Sequence, residues 1–153
     1  MEQKMVLHEE RRDAVLTISN YVKAKTIEEA YELNQARNSR IKGGMMWMRL
    51  GNARGKTLID LSALGLDKIE ETNNVFRIGA MCTLRQLEQC EALREAYGDG
   101  IAEAVRHIVG VQFRNQARVG GSIYGRYGFS DVLTALLALD TFVELYNGGT
   151  VRL

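Results

Sequence analysis

The chain has 153 residues, 46% of them hydrophobic and 25% charged, which suits one ordinary globular domain or two small lobes. A net charge of +1 gives no general attraction to nucleic acid or to an acidic membrane surface, so neither is expected as a partner. No stretch approaches the ~18 consecutive apolar residues that a membrane span needs, and the charged N-terminus lacks the apolar core of a secretory signal, so the expected compartment is the cytoplasm.

In chain order, residues 1–20 read as a charged extension ending in a short apolar alternation, Ala14 to Ile18, with the ordered domain starting near Tyr21. Thr26 and Glu29 form a T-x-x-E capping box. It opens a helix predicted from Ile27 to about Arg37, with Ile27, Ala30, Tyr31 and Leu33 facing inward. The chain then reaches Gly43-Gly44, and a short helix is predicted from Met45 to Leu50. Thr57–Leu61 and Val75–Gly79 have strand composition. Thr83 and Gln86 make a second capping box, for a helix carrying Leu84, Leu87 and Cys90. A further helix is predicted over 101–109. Gln112 to Gly121 is polar and ends in glycine, which reads as a loop. Asp131 reads as the N-cap of an apolar helix, Val132 to Leu139, before a strand at Thr141–Tyr146 and an Asn147-Gly148 turn. Helices and strands mix throughout, so the fold class expected is α+β, an α/β sandwich.

Several chemistries are disfavoured. Cys82 and Cys90 are eight apart, neither a redox CxxC nor a zinc spacing, and read as reduced, mostly buried thiols. With only His8 and His107 in addition, no metal site is expected. Gly51 to Thr57 resembles a nucleoside-triphosphate loop but has three residues between its glycines rather than four, and leads into a strand composition rather than a helix. GxGxxG is absent, which argues against a Rossmann domain.

Two double-glycine segments remain, Lys42-Gly43-Gly44-Met45 and Arg118-Val119-Gly120-Gly121-Ser122. Glycine lets a backbone approach a ligand closely and present its N–H groups, which suit phosphate oxygens. Either alone is weak, but two could face each other across one pyrophosphate. Arg114, Asn115 and Gln116 precede the second; Tyr124, Arg126, Tyr127 and Ser130-Asp131 follow it.

Around these segments lie Lys25-Thr26-Ile27-Glu28-Glu29-Ala30, Leu58-Ile59-Asp60-Leu61, Arg77-Ile78-Gly79-Ala80, Gln112-Phe113-Arg114-Asn115, Ser130-Asp131-Val132-Leu133 and Ala135 to Asp140. In this order and spacing, from Tyr21 to Leu153, they resemble the FAD-binding domain of molybdenum hydroxylases, the flavin subunit of the xanthine dehydrogenase and carbon monoxide dehydrogenase family. The resemblance implies a two-lobed flavoprotein fold, with lobes at 21–62 and 63–153, and FAD extended between them. It implies Lys42, Gly43, Gly44, Met45 and Met46 as the first pyrophosphate loop and Arg118, Val119, Gly120, Gly121 and Ser122 as the second. Asp131 matches an acid at the ribityl–ribose region, and Ile108 an apolar position near the flavin ring. No catalytic side chain is implied, because the flavin carries the redox chemistry. The partners implied are a molybdopterin-binding subunit and a [2Fe–2S] subunit, with NAD as electron acceptor and purine oxidation of the xanthine dehydrogenase type.

The chain departs from the family pattern in three ways. Met45-Met46 stands where many relatives have Thr-Asp, Arg118 where Ser or Thr is usual, and Ser122 where Asn is usual. The sequence stops at Leu153, so the family's C-terminal domain is expected to be absent. The alternative to a flavin carrier is an assembly module of the same fold that binds no flavin. A side chain at Gly120 is expected to block the phosphate approach with little loss of fold.

Overall fold

The computed structural model describes residues 17–50 and 54–153. Its first part is a parallel three-stranded sheet of β1 (Thr17–Lys23), β2 (Ser39–Lys42) and β3 (Arg54–Asp60), in the order β1-β3-β2. β1 takes in Thr17 to Asn20, which belong to the expected extension; the charged stretch before them masks the strand, and Ala14 to Leu16 lie outside the described residues. Parallel registry pairs both Lys23 and Lys42 with Asp60, so all three strands end at one edge of the sheet.

The helix α1 (Ile27–Asn34) joins β1 to β2. The Thr26 hydroxyl accepts from the Glu29 N–H at 3.1 Å, while the Glu29 carboxylate reaches back to the Lys25 N–H at 2.7 Å. This reciprocal capping satisfies two backbone donors and explains why the helix starts there. Ala30 is buried on the sheet with Ala24 and Ile59, and Leu33, Leu61 and Leu64 pack around them. In place of the predicted helix at Met45 to Leu50 there is a single 3-10 turn, Met48–Leu50. Left-handed Met45 (φ 58°) starts the segment outside helical geometry.

The second part begins with an antiparallel hairpin, β4 (Ile69–Thr72) and β5 (Val75–Ile78). Asn73 and Asn74 both have positive φ, 53° and 60°, the geometry of a two-residue hairpin turn. Five short helices follow: α2 (Leu84–Gln89), α3 (Glu91–Tyr97), α4 (Gly100–Arg106), α5 (Val111–Gln116) and α6 (Val119–Gly125). Then come α7 (Asp131–Leu137) and a hairpin of β6 (Phe142–Leu145) and β7 (Gly149–Arg152), turned at Asn147 (φ 57°). Thr83 and Gln86 form a complete capping box for α2. The core here is Cys82, Leu84, Leu87, Leu93, Ile101, Val105, Ala117, Val119, Val132 and Leu136.

The expected loop at Gln112–Gly121 is helical instead. Arg114, one of its polar residues, is 5% exposed and is spent inside the fold. Its guanidinium meets Glu88 at 2.8 and 3.4 Å and donates to the Ile108 carbonyl at 3.2 Å. Burial, the largest influence on Glu88, acts to raise its pKa; Arg114 and Arg85 outweigh it and hold the carboxyl below its ordinary value. With the charge satisfied internally, polarity no longer signals solvent at this position, and α5 closes over it. At α7 the N-cap is Ser130, whose hydroxyl accepts from the Leu133 N–H at 3.2 Å, and Asp131 is the first helical residue.

Candidate functional site

The first double glycine leaves the carboxyl edge of the parallel sheet, directly after Lys42. Asp60 anchors that edge. It is 2% exposed, accepts from Lys42 Nζ at 2.8 Å and from the Ser62 N–H at 2.9 Å, and also accepts from the Tyr21 hydroxyl. Burial, the largest influence on Asp60, acts to raise its pKa; the hydrogen bonds from Lys42, Tyr21 and Ser62 win, holding the carboxyl well below the usual carboxylate range. The Lys42 ammonium also lies 5.8 Å from the Tyr21 ring centroid, so its charge is directed inward to Asp60. Lys42 therefore fixes the start of the glycine segment.

Gly44 then lies against the backbone leading to the second double glycine. A Cβ there would sit 2.0 Å from the Gln116 carbonyl oxygen and 2.9 Å from the Ala117 Cα. Only a residue without a side chain permits this approach. A Cβ on Gly43 would be 3.7 Å from the Arg118 side chain. Segments more than seventy residues apart are thus in contact. Met46 is half-buried and packs against the second core cluster, alongside Ile108.

The second segment is the amino end of α6 rather than a turn. Val119 N–H donates to the Cys82 carbonyl and Gly120 N–H to the Ala80 carbonyl, both at 2.9 Å. The Arg118 guanidinium donates to the Met81 carbonyl at 2.8 Å. The backbone at 80–82 therefore cradles this helix end, a support that no local motif announces. A Cβ on Gly120 would stand 2.8 Å from both the Cβ and the carbonyl oxygen of Ala80, so Gly120 serves helix-to-backbone packing. This corrects the expectation that a side chain at Gly120 leaves the fold intact. Gly121 differs: a Cβ there meets nothing within 4 Å, and among the described residues its N–H has no partner. Ser122 turns its hydroxyl back to the Arg118 carbonyl at 3.2 Å. The side chain of Asp131 is exposed and has no hydrogen-bond or ionic partner among the described residues. The next residue, Val132, is in the same core cluster as Val119.

Two features suit a bound phosphate. The Arg118 Nε is buried without a hydrogen-bond partner. Three residues on, the Gly121 N–H has no partner among the described residues. Both are donors of the kind an anionic oxygen accepts from, and a buried unpaired donor otherwise costs about 1–3 kcal/mol. The expected site residues Gly43, Gly44, Arg118, Val119, Gly120 and Gly121 are thus gathered at one place. Ile108 packs against the core cluster that contains Val119, and Asp131 begins α7, which contributes Val132 and Leu136 to that cluster. Among the described residues, no group of three or more His, Cys, Asp or Glu side chains is placed to hold a metal ion.

The glycine segment at the parallel sheet edge thus meets the backbone that leads into α6. The family described as the FAD binding domain in molybdopterin dehydrogenase matches residues 16–153. The chain belongs to that family, whose cofactor is FAD. It is 32% identical over 148 residues to the uncharacterized protein YgfM of Escherichia coli K12, covering 89% of this chain and 52% of that protein. It is 32% identical over 135 residues to the nicotine 6-hydroxylase medium subunit of Paenarthrobacter nicotinovorans, covering 83% and 47%. The fold matches the carbon monoxide dehydrogenase of Hydrogenophaga pseudoflava with a TM-score of 0.76 at 27% identity, over 89% of this chain and 50% of that one. The chain therefore spans about half the length of the curated relatives it matches. The mixed helix-and-strand architecture expected from the sequence is the one found. No helix among the described residues is long and apolar enough to cross a membrane.

Proposed function

We propose that this chain is the FAD-holding part of the medium subunit of a molybdenum hydroxylase. The observation that carries the reading is the contact of Gly44 with the Gln116–Ala117 backbone, together with an unpaired Arg118 Nε and a Gly121 N–H without a partner among the described residues. In this reading residues 21–62 and 63–153 act as two lobes, and the FAD pyrophosphate lies where their glycine segments meet. Gly43, Gly44, Met45 and Met46 hold it from one side, with Lys42 fixing the segment. On the other side Gly121 and Ser122 face it with Arg118, while Val119 and Gly120 hold that helix end in place through the 80–82 backbone. Asp131 accepts from a hydroxyl of the ribityl or ribose chain, and Ile108 packs near the flavin ring. When bound, FAD accepts electrons and passes them on; the protein contributes position, dryness and charge.

For the assembled enzyme we propose a molybdopterin-binding subunit and a [2Fe–2S] subunit as partners, in the cytoplasm. The electron acceptor proposed is NAD, in a purine oxidation of the xanthine dehydrogenase type. The medium-subunit relative supports the partners. Substrate and acceptor rest on the sequence resemblance alone, since the relatives named above are described for nicotine and carbon monoxide.

A second reading is an assembly module that holds no flavin. It is favoured by Met46, which contributes to core packing where many relatives carry a polar residue. The deciding experiment is a titration of the purified chain with FAD, followed by flavin absorbance and fluorescence anisotropy. Saturable binding is the expected result. No binding at saturating FAD, by a folded chain that still captures its partner subunits, would replace the flavin reading with the assembly module.

A further inference from the structure

Three aromatic rings meet at the surface, carried by the two distant segments that follow the glycine pairs. Trp47 lies three residues beyond Gly44, and Tyr127 and Phe129 lie just beyond α6. The Trp47 ring centroid is 5.5 Å from that of Tyr127 and 5.7 Å from that of Phe129. Tyr127 and Phe129 stack at 5.3 Å with 19° between their planes. The cluster stays open to solvent: Trp47 is 49% exposed, Phe129 66% and the neighbouring Tyr124 83%. Surface aromatics scattered singly need no explanation, whereas a contiguous group marks a binding surface.

The backbone is shaped to hold these rings. A Cβ on Gly125 would come within 2.7 Å of the Tyr127 ring, so glycine makes room for it against the end of α6. Arg126 takes a left-handed φ of 49°, which turns the chain there. Each segment that supplies a ring also supplies one side of the cleft. Gly43-Gly44 runs on into Trp47, and α6 continues past Gly121 to Gly125, a rise of about 6 Å between those two residues. A sugar carries a ring away from its phosphate over a comparable span.

We propose that Trp47, Tyr127 and Phe129 form a stacking platform for a planar heteroaromatic ring of the dinucleotide. The inference rests on the FAD reading and goes beyond it, because it assigns the ring contact to side chains of this chain outside both glycine segments. Either the adenine or the isoalloxazine offers the π-face and the apolar area that such rings recognise. Stacking here also supplies affinity next to Met45-Met46, a pair with no hydroxyl or carboxylate to offer a ligand.

Trp47 is the chain's single tryptophan, which makes the test direct. The full chain is titrated with FAD, ADP and FMN, recording Trp47 fluorescence and, for the flavins, anisotropy of the flavin itself. FAD should quench Trp47 with the same half-saturation as the flavin signal. Quenching by ADP alone assigns the adenine, and quenching by FMN alone assigns the isoalloxazine. Trp47→Leu and Phe129→Ser should each weaken FAD binding between about 5-fold and 100-fold, the range for loss of one ring–aromatic stack. Trp47→Phe should recover most of that loss, and melting temperature should hold for Phe129→Ser, the more exposed position. FAD binding in the flavin signal without Trp47 quenching, and with unchanged affinity in both variants, would overturn the platform and leave the cofactor reading standing. Absence of flavin binding to the folded wild-type chain would overturn both.

Discussion

Gly120 and Gly121 are adjacent in sequence and alike in composition, yet the structure assigns them opposite roles, and a pair of alanine variants separates them. At Gly120 the new Cβ would stand 2.8 Å from the Ala80 Cβ and carbonyl oxygen. That is closer than side-chain carbons approach one another, and relief requires α6 to move off the segment at 80–82. The movement also strains the 2.9 Å bond from the Gly120 N–H to the Ala80 carbonyl. Overpacking of this kind costs about 1–3 kcal/mol. At Gly121 the same methyl meets nothing within 4 Å, in a residue already helical. There the exchange removes unfolded-chain entropy and gains roughly 0.5–1 kcal/mol. The two variants should therefore differ by about 1.5–4 kcal/mol, or at least several degrees at about 2–4 °C per kcal/mol for a chain of this size. The assay is paired: thermal unfolding by circular dichroism, and FAD affinity by flavin anisotropy. Gly120→Ala should melt lower. Gly121→Ala should melt at or above the wild type while binding FAD more weakly, because its methyl occupies the approach to the free N–H. Equal melting temperatures would refute the packing argument, and undiminished FAD affinity in Gly121→Val would remove Gly121 from the cleft.

Asp60 predicts an acid limb of stability. Its folded pKa lies below the unfolded value of about 4, so its contribution is full above that value and is lost as pH falls further. Asp60→Asn should therefore flatten a plot of unfolding free energy against pH below about pH 5, where the wild type still declines; an unchanged slope would show that Lys42 and Tyr21 do not favour the ionised form. Arg114→Met should cost about 3 kcal/mol, the low end for stripping one partner from a buried pair, because Arg85 still reaches Glu88 at 2.7 Å; a loss under 1 kcal/mol in urea unfolding would contradict its structural role. Ser130→Ala should cost about 1 kcal/mol of stability as a lost N-cap, read in the same urea titration. Asp131→Ala should leave the melting temperature within error while weakening FAD binding by about 1–2 kcal/mol, as its carboxylate holds a ligand hydroxyl; unchanged FAD affinity would remove Asp131 from the site.

Local chemistry is readable where neighbours in sequence decide it. Thr26 with Glu29, and Thr83 with Gln86, satisfy helix-end donors within one turn, and both helices begin where those residues stand. The Asn73-Asn74 pair carries a hairpin signal of the same local kind, and it points to β4. The parallel strand β1 is harder to see, since its partner β3 is supplied from more than thirty residues away.

The cleft divides along the same line. Residue order is enough to establish that two double-glycine segments exist, that each could bare backbone to a phosphate, and that the surrounding blocks belong to one family. What each glycine does follows from the folded arrangement. Gly44 and Gly120 lack a Cβ because Gln116 and Ala80 occupy that space, while Gly121 faces open space. Folding likewise sets the Lys42 charge on Asp60, makes Arg114 a buried strut, and brings Trp47 to Tyr127 and Phe129. The reason is physical. Caps, turns and glycine freedom depend on a few consecutive residues, whereas burial and close approach depend on which distant segments the two cores bring together.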